Sequence, residues 1–191
     1  MENQYFAAST IFLIQTVFGL YVLAVMLRFL LQWVHADFYN PISQFIVKVT
    51  NPALRPLRRI IPGWGGIDLA SVILLIALQI TELFLVNLTL GRALGVSALF
   101  IATIGELLDL LINVFIGAIL IQVILSWVAP ASYNPLIGLV HKIAEPLLAP
   151  ARRIIPPFSG IDISPLVILV VLQLLKILLV APITNFGYHL G

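Results

Sequence analysis

Residues 56–62 read Pro56-Leu57-Arg58-Arg59-Ile60-Ile61-Pro62, and residues 150–156 read Pro150-Ala151-Arg152-Arg153-Ile154-Ile155-Pro156. The two runs stand 94 positions apart (56 to 150), and the same offset holds outward in both directions. Trp33 recurs as Trp127, Tyr39-Asn40-Pro41 as Tyr133-Asn134-Pro135, Lys48 as Lys142 and Pro52 as Pro146. Downstream, Gly66-Ile67-Asp68 recurs as Gly160-Ile161-Asp162 and Gln79 as Gln173. Between positions 28 and 79 roughly two residues in five are identical to their counterparts. A fixed period of this kind means one structural unit used twice. The units are residues 1–93 and 94–191.

Composition names the solvent. Of 191 residues, 61% are hydrophobic and 9% charged, and the mean hydropathy is +1.13. A soluble domain carries about 25% charged residues, so most of this chain is expected to face lipid. The net charge of +2 is too small to suggest nucleic acid. The absence of cysteine excludes disulfides, thiolate catalysis and thiolate metal sites. The first apolar run follows Met1-Glu2-Asn3-Gln4, which carries no positive charge ahead of it, and it is too long for a signal peptide. It is read as a retained span.

Four apolar stretches, near residues 6–33, 69–90, 104–127 and 166–186, reach the length an α-helix needs to cross about 30 Å of hydrocarbon. Each repeat is therefore span, basic segment, span. The join at 91–103 either extends the third helix or lies among headgroups, with Gly105 a candidate bend. Seven of the ten Lys and Arg sit in the two basic segments: Lys48, Arg55, Arg58, Arg59, Lys142, Arg152 and Arg153. Both segments follow an odd-numbered span, so they share one side, and the positive-inside rule makes it cytoplasmic with both termini outward. Two spans per unit make the repeats parallel. Asn40-Pro41 and Asn134-Pro135 read as N-cap and first helical residue. Ile42, Phe45, Ile46 and Val49, and in the second copy Leu136, Leu139, Val140 and Ile143, follow at helical spacing. The spacing predicts a short amphipathic helix of about three turns in each repeat, flat on the inner leaflet and ended by Pro52 or Pro146.

Tyr39-Asn40-Pro41, Asn51-Pro52, the Pro56–Pro62 run and Gly66-Ile67-Asp68, with their second copies, resemble the YggT family of small bacterial membrane proteins over the whole chain. The resemblance implies a multi-pass protein of the bacterial inner (plasma) membrane with a link to osmotic or envelope stress. Plastid relatives imply membrane-complex assembly. The second copy departs from the first at Ala149 for Arg55, Glu145 for Asn51 and Pro165 for Ser71.

Candidate sites fall into three groups. Arg58, Arg59, Arg152 and Arg153, with Lys48 and Lys142, suit anionic lipid headgroups or a membrane-protein partner, because guanidinium forks match phosphate and carboxylate. Asp68 and Asp162 begin the second and fourth spans, as N-caps, as clasps to the upstream arginines, or as both. Ser164-Pro165 is a competing start for the fourth. Deeper, Glu82 and its counterpart Lys176 would each cost about 2.5–3.5 kcal/mol in hydrocarbon, so they should have partners. An ion pair between them, flanked by Gln79 and Gln173, is the expectation. Glu106 and Arg28 are expected to snorkel to the outer and inner interfaces, and Asp109 begins the third span. No spacing provides a metal, cofactor or catalytic triad. The sequence thus predicts an all-α, non-enzymatic membrane scaffold or assembly factor, alone or as a homo-oligomer. The alternative is a small oligomeric ion channel or transporter using Glu82 and Lys176.

Overall fold

A computed structural model describes residues 2–128, 134–155 and 162–189. Tyr133, Pro156, Gly160 and Ile161 of the repeated motifs lie outside the described residues. The described chain is all-helical: α1 (Glu2–Trp33), α2 (Pro41–Ile60), α3 (Leu69–Thr89), α4 (Val96–Val128), α5 (Pro135–Ile154), α6 (Ser164–Leu175), a π-helical segment (Lys176–Val180) and α7 (Ala181–His189). Four helices are long and apolar enough to cross a membrane: Gln4–Trp33, Leu69–Thr89, Val96–Val128 and Ser164–His189. The last runs through α6, the π segment and α7. Of the join at 91–103, residues 96–103 extend the third helix, which is continuous through Gly105.

α2 and α5 depart from the expected length. Each has 20 residues, starts at its Asn-capped proline and runs through two further prolines, Pro52 and Pro56 or Pro146 and Pro150. The Asn40 and Asn134 side chains each accept the backbone N–H two residues on, at 2.9 Å. A proline removes one ladder bond and commonly breaks a helix. Here the prolines in each helix are four apart, so both interruptions fall on one face. Pro52, Pro56 and Pro150 are exposed and Pro146 is half-buried, which leaves the opposite face free to pack. That face carries Ser43, Ile46, Thr50 and Leu54 in α2. In α5 it carries Leu139, Val140, Ile143, Ala144, Leu148 and Ala151. The expected apolar face is therefore rotated in α2: Ile46 is buried, whereas Phe45 is 67% exposed.

One apolar cluster joins the repeats. Val22, Val25, Leu30 and Leu31 of α1 meet Leu54 of α2, Leu74 and Leu75 of α3, Phe115 and Ile119 of α4, and Ile143 and Leu148 of α5. All of these lie toward the end of the bundle that carries the basic segments. At the other end α4 and α7 approach closely. A Cβ on Gly187 would lie 2.9 Å from Ala102 Cα, and one on Gly105 would lie 3.0 Å from Thr184 Cα. Small residues permit such backbone contact where no hydrophobic force drives helices together. Gly105 is thus a contact point within an unbroken helix. Among the described residues α3 packs on α1, α2 and α4, and none of its Cα atoms lies within 8 Å of one in the fourth span.

Candidate functional site

After α2 the chain must turn back to begin α3. Trp64 and Ile67 exchange both backbone hydrogen bonds (3.1 and 3.0 Å) around Gly65-Gly66, whose φ values are +60° and +83°. Two consecutive left-handed residues form the tight hairpin turn that glycine accommodates. The reversal brings Asp68 against Arg58, and the two form an ion pair. Arg58 also donates to Gln32 Oε1 of α1 at 3.2 Å, and the Ser71 hydroxyl donates to the Asp68 carboxylate. Asp68 occupies the N-cap position of α3 without capping a backbone N–H. Its carboxylate is spent on the clasp.

The second copy forms the same clasp with different neighbours. Arg152 Nε donates to Asp162 Oδ2 at 2.9 Å, and Nη1 donates to Glu145 Oε2 at 3.2 Å. Asp162 Oδ1 also accepts the Ser164 backbone N–H at 2.9 Å, but α6 starts at Ser164 with Ile163 at its N-cap and no side-chain cap, so Asp162 braces the turn ahead of the helix rather than capping it. Burial raises the pKa of both carboxyls, but hydrogen bonding outweighs it. Arg58 and Ser71 hold Asp68 below the usual range, and Arg152 and Ser164 do the same for Asp162.

Each Arg pair is therefore divided. Arg58 and Arg152 are committed to the clasps, whereas Arg59 and Arg153 are exposed, as are Lys48, Arg55 and Lys142. Helical geometry explains the division, since adjacent residues point about 100° apart and cannot both face the turn.

Arg28 does not snorkel into solvent. It is only 6% exposed, lies beneath α2 with Nη1 3.5 Å from Thr50 Oγ1, and its Nε has no partner. Gln122, its counterpart, likewise has an unpartnered Oε1.

The expected Glu82–Lys176 pair is not formed. Lys176 Nζ contacts Asp109 Oδ1 at 3.0 Å and donates to Asn113 Oδ1 at 2.7 Å, while Asn113 Nδ2 donates to Asp109 Oδ2 at 2.7 Å. Glu82 accepts from Gln79 at 3.2 Å, and its charged neighbour is Glu106 of α4. Glu106 in turn accepts the Tyr188 hydroxyl at 3.1 Å. Gln173 lies with Glu106, Asp109 and Lys176 around a cavity of about 400 Å³, on a different helix pair from Gln79. Sequence reasoning missed the Asp109–Asn113–Lys176 group. Its signal was an acid and an amide one turn apart on α4, which place two acceptors on one face.

The CCB3/YggT family model matches the chain twice, over residues 7–89 and 101–183. An uncharacterised protein of Pseudomonas aeruginosa is 49% identical over 90% of this chain and 88% of its own. The uncharacterised protein YggT of Escherichia coli K12 is 39% identical over 86% of each chain. An uncharacterised protein of Haemophilus influenzae is 33% identical over 88% of this chain and 90% of its own. No solved structure matches. With two family matches spanning both halves and relatives aligned over most of their length, the chain belongs to the CCB3/YggT family.

Proposed function

We propose that the protein is a non-enzymatic scaffold or assembly factor of the bacterial inner membrane, acting in envelope or osmotic homeostasis through a basic cytoplasmic face. In this reading α2 and α5 lie at the inner membrane surface, the repeats are parallel, and both termini face outward. The observation that carries it is the division of the Arg pairs. The clasps use one guanidinium each, and in the two basic segments five cations stay exposed with no ion-pair partner among the described residues: Lys48, Arg55, Arg59, Lys142 and Arg153. Each basic residue near an anionic surface contributes about 1 kcal/mol, so five together can hold anionic headgroups or an acidic segment of a membrane protein.

The test is the double variant Arg59→Gln/Arg153→Gln, with growth after osmotic downshift as readout. Unchanged topology and membrane level with loss of growth recovery is the expected result. Full recovery would contradict the scaffold reading. Ion conduction through Glu82 and Lys176 has less support, because Lys176 is paired with Asp109 and Glu82 sits on a helix whose backbone comes no closer than 8 Å, Cα to Cα, to the fourth span. Ion flux in liposomes that is abolished by Glu82→Gln would reverse that preference.

A further inference from the structure

The space between the two repeats is not filled by protein. An apolar cavity of about 520 Å³ lies between α1, α2, α4 and α5, within the range of about 300–1,000 Å³ usual for small-molecule sites. Its walls include symmetry mates from both repeats: Leu27 with Ile121, Ile42 with Leu136, and Ile46 with Val140. The cavity therefore sits on the internal axis. The polar side chain in its lining is Asn113, whose amide is already engaged by Lys176 and Asp109. Water would find no partner there, and an apolar void of this kind stays dry or takes an apolar guest.

A second cavity, of about 570 Å³, adjoins the first at the N-terminal turns of α2 and α5 and shares Leu139 with it. This one is polar. Asn40 Nδ2 donates to Pro135 O at 2.7 Å and ties the two hairpins together at its edge. Asp37 and Lys142 both line it, one charge of each sign. Asp37 Oδ1 accepts the Tyr39 backbone N–H at 2.8 Å, which steadies the carboxylate and leaves its second oxygen available.

We propose that these two adjoining cavities together bind one phosphatidylethanolamine molecule, with an acyl chain in the apolar cavity, the phosphate on Lys142 and the ammonium on Asp37. The paired charges argue for a zwitterionic lipid. A purely anionic headgroup would satisfy Lys142 and be repelled by Asp37. The inference shares Lys142 with the scaffold reading, but Asp37 and the apolar cavity play no part in that reading, so the Asp37→Asn and Gly117→Leu arms fail or succeed separately from it.

The experiment is native mass spectrometry of the detergent-purified protein with phosphatidylethanolamine or phosphatidylglycerol of identical acyl chains. Phosphatidylethanolamine is expected to be retained about fivefold better, the equivalent of one charge contact. Asp37→Asn removes that preference, and Lys142→Gln lowers retention of both lipids about fivefold. Gly117 lines the apolar cavity, and a Cβ there meets nothing within 4 Å. Gly117→Leu therefore fills the cavity without a clash and should cut retention of both lipids about tenfold. Equal retention of the two lipids by the unaltered protein overturns the proposal. So does a folded Gly117→Leu protein with undiminished retention, or a dimer that Gly117→Leu converts to monomer with no change in bound lipid, which would assign the cleft to a second copy. Asp37 and Lys142 are exposed, so their variants decide the matter should Gly117→Leu fail to fold.

Discussion

The two clasps are the same device in two electrostatic settings. Asp68 is 5% exposed and sits among Arg58, Gln32, Ser71 and the buried Arg28; Asp162 is 40% exposed and shares Arg152 with Glu145. The first pairs one cation with one nearly buried carboxylate, and the second sets one cation between two carboxylates. A pair taken out of water is tightly constrained, because losing one partner strands a charge. A pair left in water is screened and contributes little. Duplication has thus produced one clasp that is part of the core and one that rests on the surface.

The largest expected effect follows from that contrast. Asp68→Asn leaves Arg58 without its counter-charge and should destabilise the protein by about 3 kcal/mol, the low end for a buried pair because the Arg58 side chain is 33% exposed, read as loss of the folded fraction in a detergent thermal-melt assay. Asp162→Asn should cost no more than about 1 kcal/mol, and comparable losses would break the contrast. Next in size is the close approach of α4 and α7. Gly187→Leu forces a side chain onto Ala102 and should cost about 1–3 kcal/mol. Gly19→Ala, where a Cβ meets nothing within 4 Å, should not destabilise in the same assay. Smaller again is the coupling between Arg28 and Asp68. If Arg28 contributes to the stranded charge, Arg28→Gln should restore part of what Asp68→Asn loses, with a coupling of about 0.5–3 kcal/mol in a double-mutant cycle. Strict additivity would remove Arg28 from the account.

The pH dependence sharpens the same comparison. The folded-state pKa of Asp68 is lowered, so between that value and the unfolded value of about 3.9 the native state binds fewer protons than the unfolded one. The clasp's contribution is complete well above the unfolded pKa and is lost as pH falls through the folded value. Acid unfolding followed by intrinsic fluorescence should therefore shift less with pH in Asp68→Asn than in the unaltered protein. Asp162 acts in the same direction, but its exposure makes that contribution weaken with added salt.

The elements that were legible in the sequence are those that local chemistry decides. Apolar run length gave the four long helices, the Asn-Pro steps gave the starts of α2 and α5, and the repeated Arg-Arg with a downstream Asp suggested a clasp. Tertiary packing decided the rest. Pro52 and Pro56 do not end α2, because Ser43, Ile46, Thr50 and Leu54 hold the opposite face against the bundle. Which arginine of the first pair would turn inward depended on the Gly65-Gly66 reversal, a geometry that the spacing alone does not display. The Glu82–Lys176 expectation failed for a reason inherent in the repeat. Internal symmetry puts two residues at equal depth but also on opposite sides of the axis, and here α4 stands between α3 and the fourth span. Lys176 then found its acid on the neighbouring helix, at Asp109.

The central claim is that both basic hairpins present their exposed arginines to one compartment. The chain has no cysteine, so Arg59→Cys and Arg153→Cys each introduce a single thiol. Intact cells treated with a membrane-impermeant maleimide should leave both unlabelled, and opening the inner membrane should expose both. Labelling of one thiol but not the other in intact cells would contradict the account.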